Sequence, residues 1–184
     1  MIRDPQGSYT ASVEDGLSLT LLVPIAGAAL LLSDHLRTPY DDLFDRIGLE
    51  EGTGPDLLRA IARRESGFRA DAVSPPNNNG TRDYGIMQIN EVTARALGVD
   101  DPTTLSEGNG RVERSIRLAA RFIRMLWREL GAQANLYTVV AAYNAGSPAI
   151  RDRGIFNTPY VWTVLYHHQL YTFGSLLRQK GGPA

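Results

Sequence analysis

Apolar positions recur with helical spacing along most of this chain. In 111–130, Val112, Ile116, Ala119, Ile123, Leu126 and Leu130 share one face and Gly131 supplies a stop, so the pattern predicts a long amphipathic helix. Arg114, Arg117, Arg121, Arg124 and Arg128 fall on the opposite face. That stripe reads as a solvated face, with contact to an acidic polymer, phospholipid or protein partner as the alternative. A second helix is predicted over 55–68: Pro55 suits a first helical position, Leu57, Leu58 and Ile61 form an apolar face, and Gly67 can end the run. Segments 92–97, 136–143 and 159–177 also read as helices, the last made amphipathic by Tyr160, Tyr166 and Tyr171. Gly- and Asn-rich loops lie between, and Ser74 to Arg82 is expected to form a short hairpin or cleft wall. The fold class is therefore mainly α, with a small β element.

The N-terminal part breaks this pattern. Residues 17–32, bounded by Leu17 and Leu32, are almost wholly apolar and carry no charge. At about 16 residues the run is short for a membrane span and long for a signal-peptide core. Arg3 is outnumbered upstream by Asp4, Glu14 and Asp15, and no Ala-x-Ala pattern follows, which argues against a cleaved signal. Pro24 and Gly27 would weaken a soluble helix there. The expectation is an N-terminal hydrophobic helix in residues 1–37, acting as a retained anchor with membrane contact or as an assembly contact, before a domain at 38–184.

Composition narrows the function classes. The 184 residues suffice for one domain with a substantial core. A net charge of −1 argues against a general nucleic-acid binder. The absence of cysteine removes disulfides, thiol catalysis and thiolate metal sites. Of the three histidines, His167 and His168 are adjacent and point to different sides of a helix, so no metal site or cofactor is expected with them or His35.

The strongest chemical candidate is Glu65, in the last turn of the 55–68 helix. A carboxylate there meets the negative end of the helix dipole, and partial desolvation would raise its pKa further, as a general acid requires. The alternative is a solvated glutamate paired with Arg63 or Arg64.

Four short motifs occur in register: Glu65-Ser66; Ser74 followed by Gly85-Ile86-Met87-Gln88; Ala142-Tyr143-Asn144-Ala145-Gly146; and Tyr160-Val161. In this order they resemble the lysozyme-like lytic transglycosylases, which cleave bacterial peptidoglycan, over about residues 40–165. The long stretch from Asn77 to Gly85 is similar to the subgroup that accompanies secretion systems, conjugation and phages, and also to animal lysozymes. The resemblance implies an α+β lysozyme-like fold, Glu65 as the catalytic acid, and Ser66, Ser74, Gln88, Tyr143, Asn144 and Tyr160 as substrate-binding residues, with Tyr160 touching Glu65. Each has an alternative: Tyr143 could be core, and Asn144 to Gly146 a helix stop.

The place of the second lysozyme carboxylate is read as taken by Asn79, which cannot ionise. Asp83 is the nearest carboxylate, and before Tyr84-Gly85 it reads as a turn residue satisfying backbone donors. One carboxylate implies the family's chemistry: Glu65 protonates the glycosidic oxygen between N-acetylmuramic acid and N-acetylglucosamine, then takes the proton of the muramic C6 hydroxyl as a 1,6-anhydro ring closes. The expected partner is the peptidoglycan glycan strand. Two settings fit, a phage virion or tail component delivered to the host periplasm, slightly favoured by the N-terminus, and an enzyme on the periplasmic face of the inner membrane within a secretion or conjugation apparatus. A hydrolysing muramidase and a structural or glycan-binding assembly protein stand as further alternatives.

Overall fold

A computed structural model describes residues 36–180. The expected N-terminal hydrophobic helix at 17–32 lies outside the described residues.

The described chain is mainly helical. Helices α1 (Asp41–Glu50) and α2 (Pro55–Glu65) precede a two-stranded antiparallel sheet, β1 (Asp83–Tyr84) and β2 (Ile89–Asn90). Then follow α3 (Glu91–Ala96), a 3-10 turn at Pro102–Leu105, α4 (Arg111–Leu130), a second 3-10 turn at Gly131–Gln133, α5 (Leu136–Ala145), α6 (Ser147–Arg153) and α7 (Thr158–Lys180). The long helix at 111–130 falls where its periodicity places it. Helix α2 ends three residues before the predicted limit, because Gly67 and Phe68 both take positive φ, 61° and 68°, and unwind the chain. Helices α1 and α6 were not predicted.

The core is built from one face of each helix: Phe44 and Ile47 of α1, Leu58 and Ile61 of α2, Ile116, Ile123 and Leu126 of α4, Val140 of α5, and Val161 and Val164 of α7, all buried. Helix α7 lies along α2, its most extensive helix contact. A buried cation fixes the far side of α2. The Arg59 side chain is only 1% exposed and forms ion pairs with Asp41 at 2.9 Å, Asp45 at 2.8 Å and Asp56 at 2.9 Å. Ser175 of α7 donates to Asp56 at 2.9 Å, so the same cluster ties three helices.

The hairpin is displaced from its expected position. Its strands pair Asp83 with Asn90 and Tyr84 with Ile89, so the Gly85–Gln88 motif is itself the turn. Residues 74–82 form the outer loop beside it, held by the Val73–Tyr84 bridge and closed by an Asn77–Thr81 backbone hydrogen bond of 2.7 Å.

The arginine stripe is solvent-exposed, as its position opposite the apolar face predicts, and it also makes defined contacts. Arg117, Arg121 and Arg124 converge on the buried Glu51 at 3.1, 3.0 and 3.4 Å, and Arg114 donates to the carbonyls of Thr104, Glu107 and Asn109. These groups staple α4 to the end of α1 and to the loop before it. Arg121 and Arg124 remain more than half exposed, so the solvated face expected from the sequence is present, with its charges paired.

Candidate active site

Glu65 is the last residue of α2, and its carboxylate enters a small cavity of ≈ 100 Å³. Asp83, Gln88, Asn90, Phe122, Tyr143 and Asn144 share the lining. Burial pushes the Glu65 carboxyl up from its ordinary 4.5 to about 7. The hydrogen bond from Tyr160 and the charge of Arg64 pull against this, and the negative charge of Asp83 adds to it. Glu65 is therefore close to half-protonated at neutral pH, able to give a proton and to take one back.

The pairing with Arg63 or Arg64 does not form: the described residues show no ion pair to Glu65 within 4.0 Å. Arg63 lies over the Phe68 ring at 6.0 Å and Arg64 over the Tyr160 ring at 5.3 Å. Tyr160 instead reaches across from the first turn of α7 and donates its hydroxyl to Glu65 Oε1 at 2.5 Å. Burial, followed by the neighbouring Glu65 charge, holds the Tyr160 hydroxyl well above its usual pKa, so it remains a donor.

The Gly85–Gln88 turn is shaped by close backbone approach. Gly85 has φ +76°, and a Cβ there would lie 2.2 Å from the Leu105 carbonyl oxygen, so only glycine fits. Side chains then hold the turn, among them Ser115, whose hydroxyl accepts from Met87 N–H at 3.3 Å. Ser66 donates to the Ile86 carbonyl at 2.7 Å, Tyr143 to the Met87 carbonyl at 2.9 Å, and Gln88, at φ +46°, donates its own amide to the carbonyls of Ala72 at 3.1 Å and Gly85 at 2.8 Å. The motif residues thus fasten the turn to the end of α2 and to α5.

Of the residues predicted as substrate-binding, Gln88, Tyr143 and Asn144 line the Glu65 cavity and Tyr160 touches Glu65 directly. The Asn144 amide oxygen accepts from Asn157 at 2.9 Å. Ser66 and Ser74 stand behind the wall. The Ser74 hydroxyl accepts from the Asp83 backbone N–H at 2.9 Å and donates to the Pro75 carbonyl at 2.8 Å, so it anchors β1.

The structure reverses the relation between Asn79 and Asp83. Asn79 sits in the exposed outer turn, where its side-chain oxygen accepts from Thr81 N–H at 3.1 Å and Thr81 Oγ1 at 2.7 Å. Asp83 lines the cavity with Glu65. Among the described residues its carboxylate takes no backbone donor; it is held by the amides of Asn90 at 2.8 Å and Asn77 at 3.3 Å. Side chains alternate along a strand, so β1 turns Asp83 inward, and Asn90 opposite it completes the clamp. Asn77 and Asn90 were not singled out in the sequence. The signal was available for Asn90 alone, which follows the Gly85–Gln88 motif by two residues and caps α3 by accepting from Val92 N–H at 3.0 Å.

A protonatable glutamate facing a hydrogen-bonded aspartate, beside amides and tyrosines, can perform acid–base chemistry on a glycan. Comparison with known proteins gives the same direction. The chain is 37% identical over 109 residues to Protein IpgF of Shigella flexneri, covering 58% of this chain and 66% of that protein. It is 30% identical over 125 residues to Membrane-bound lytic murein transglycosylase F of Alcanivorax borkumensis, covering 66% of this chain but 24% of that one. A 30-residue stretch is 60% identical to Lysozyme P of Drosophila melanogaster, 16% of this chain and 21% of the lysozyme. Among solved structures, an inactive mutant of the lytic transglycosylase Slt from Pseudomonas aeruginosa shares the fold with a TM-score of 0.54 and 21% identity, covering 88% of this chain and 28% of that one. The family model for the transglycosylase SLT domain matches residues 42–155, and this chain belongs to that family.

Proposed function

We propose that this protein is a peptidoglycan lytic transglycosylase whose catalytic group is Glu65. The observation that carries the reading is the burial of Glu65, with its pKa raised to about 7, at the hydroxyl of Tyr160. Protonated Glu65 donates to the oxygen between N-acetylmuramic acid and N-acetylglucosamine, and the C1–O bond breaks. The muramic C6 hydroxyl attacks C1, and the Glu65 carboxylate takes the hydroxyl proton, restoring the acid. Water is neither consumed nor released, and the product carries a 1,6-anhydro ring. Gln88, Tyr143 and Asn144 hold the sugars beside the acid; Tyr160 positions the acid itself. Ser66 and Ser74 act on the glycan site indirectly, through the turn and strand they brace.

With Asp83 in the cavity, the preference for ring closure over hydrolysis rests on family membership and on the activity for which a relative is named, not on the absence of a second carboxylate. Asp83 carries the second reading, a hydrolysing muramidase in which this carboxylate acts opposite Glu65.

Periplasmic action is the setting supported by a relative named as membrane-bound and acting on murein. The virion or tail setting rests on the N-terminal sequence alone. The test is release of soluble fragments from purified murein by the full chain. Release abolished by Glu65→Gln in a folded protein is expected; release that persists in that variant would exclude Glu65 as the catalytic group.

A further inference from the structure

Asn157 connects two parts of the active site. It stands directly before α7, and its carbonyl accepts from the Tyr160 N–H at 3.0 Å and the Val161 N–H at 3.3 Å. It therefore opens the turn that brings Tyr160 to Glu65. Its side chain is bonded to α5. The Asn157 amide nitrogen donates to the Ala141 carbonyl at 3.0 Å and to Asn144 Oδ1 at 2.9 Å. Ala141 and Asn144 are three residues apart and share a face of α5, which lets one NH2 group bridge them.

The direction of these bonds follows from the backbone. A carbonyl can only accept, so the group facing Ala141 must be the Asn157 nitrogen; a flipped amide would set oxygen against oxygen. The Asn157 oxygen is then buried with no hydrogen-bond partner among the described residues. An unpaired buried oxygen costs stability, so this amide calls for a reason other than stability. Asn144 supplies one. With Oδ1 held by Asn157, Nδ2 is the end left for the cavity that Asn144 lines, and among the described residues it donates to no protein group. Gln88, in the same lining, is wired in the opposite sense: its nitrogen gives hydrogens to the carbonyls of Ala72 and Gly85, which leaves its oxygen as the free end.

Taking the cavity as a glycan site, we infer that Asn157 is a positioning residue: it sets the Asn144 amide with its nitrogen toward the glycan. Asn144 then meets the sugar only as a donor, and the sugar atom opposite it is an acceptor, a carbonyl or hydroxyl oxygen. Asn157 makes no hydrogen bond to Glu65 among the described residues and acts through Asn144. Pre-setting the amide removes the cost of choosing between its two orientations when the glycan arrives. The carbonyl of Asn157 that opens α7 belongs to the backbone, so substitution of the side chain leaves that bond in place.

Binding of peptide-free murein glycan strands is measured by calorimetric titration of the full chain in a Glu65→Gln background, where nothing is cleaved. Asn157→Leu, close in size and without a donor, is compared with Asn144→Ala and with both changes together. Each single change is expected to weaken binding about tenfold, and the double variant to bind no more weakly than Asn144→Ala, since nothing is left to position. In the active protein, Asn157→Leu should raise KM and leave the alkaline limb of kcat/KM in place, because Glu65 keeps its bond from Tyr160. Losses that multiply in the double variant, or undiminished binding by Asn157→Leu, would overturn the inference. So would movement of the alkaline limb, which would show Asn157 acting through α7 and Tyr160. If circular dichroism shows Asn157→Leu unfolded, Asn144→Asp decides: its carboxylate still accepts from Asn157 and has no hydrogen to give. Binding as weak as that of Asn144→Ala is expected, and binding equal to that of the Glu65→Gln parent would overturn the inference. Failure of that parent to bind glycan at all would instead refute the glycan site itself.

Discussion

The Tyr160 hydroxyl donates to Glu65 Oε1 at 2.5 Å, joining the first turn of α7 to the last residue of α2 across 95 positions of sequence. The bond holds the acid in one orientation and favours its charged form, while burial favours the neutral form more strongly. The balance leaves the pKa near neutrality, where one group can act as acid and then as base.

Glu65→Gln removes the proton donor while keeping the shape of the side chain. Murein cleavage is expected to fall by about 10²–10⁴-fold, measured as released muropeptides. The same variant tests the pKa through stability. The folded-state pKa of Glu65 lies above the ordinary value, so its contribution is complete below about 4.5 and is lost as pH rises through about 7. A rise from 4.5 to about 7 corresponds to roughly 3 kcal/mol. The glutamine variant should therefore gain melting temperature relative to wild type at pH 8 and not at pH 4; an equal difference at both pH values would contradict the buried acid.

Tyr160→Phe deletes the hydrogen bond that favours the carboxylate. The alkaline limb of kcat/KM, set by loss of the Glu65 proton, should move to higher pH, and activity at the optimum should drop about tenfold. Movement of that limb to lower pH would show that Tyr160 does not stabilise the charged form.

Asp83→Asn keeps an acceptor for the Asn90 amide and removes the charge that helps raise the Glu65 pKa. Under the transglycosylase reading the alkaline limb shifts to lower pH and turnover falls by less than about tenfold. A loss as large as that of Glu65→Gln would assign Asp83 a direct part in bond cleavage and favour the muramidase.

Arg59→Leu leaves Asp41 and Asp56 facing each other without their buried cation. Unfolding free energy should drop by about 3–5 kcal/mol, read by denaturant titration. Arg59 lies away from the Glu65 cavity, so specific activity of the folded fraction should be retained.

The helix of Glu65 and the whole of α4 were legible because a 3.6-residue period survives along each of them. Helix α1 was not, since it buries little beyond Phe44 and Ile47 and leaves Leu49 77% exposed. The solvated face of the arginine stripe was legible, but its pairing was not, because the partner, Glu51, is 66 to 73 residues away, beyond any local pattern. Ser66 and Gln88 were found as motif residues, but spacing does not say whether a hydroxyl or an amide faces substrate or a carbonyl behind the wall. The exchange of roles between Asn79 and Asp83 has the same origin: which residue of a loop faces the cleft is decided by strand register, and the register was misplaced by one loop.

The most direct measurement is the mass of the muropeptides that the full wild-type chain releases from purified murein. The account predicts products lighter by one water than reducing muropeptides, formed by Asp83→Asn as well and absent with Glu65→Gln. Ordinary reducing ends from the wild-type protein would contradict ring closure and make Asp83 the partner of Glu65 in hydrolysis.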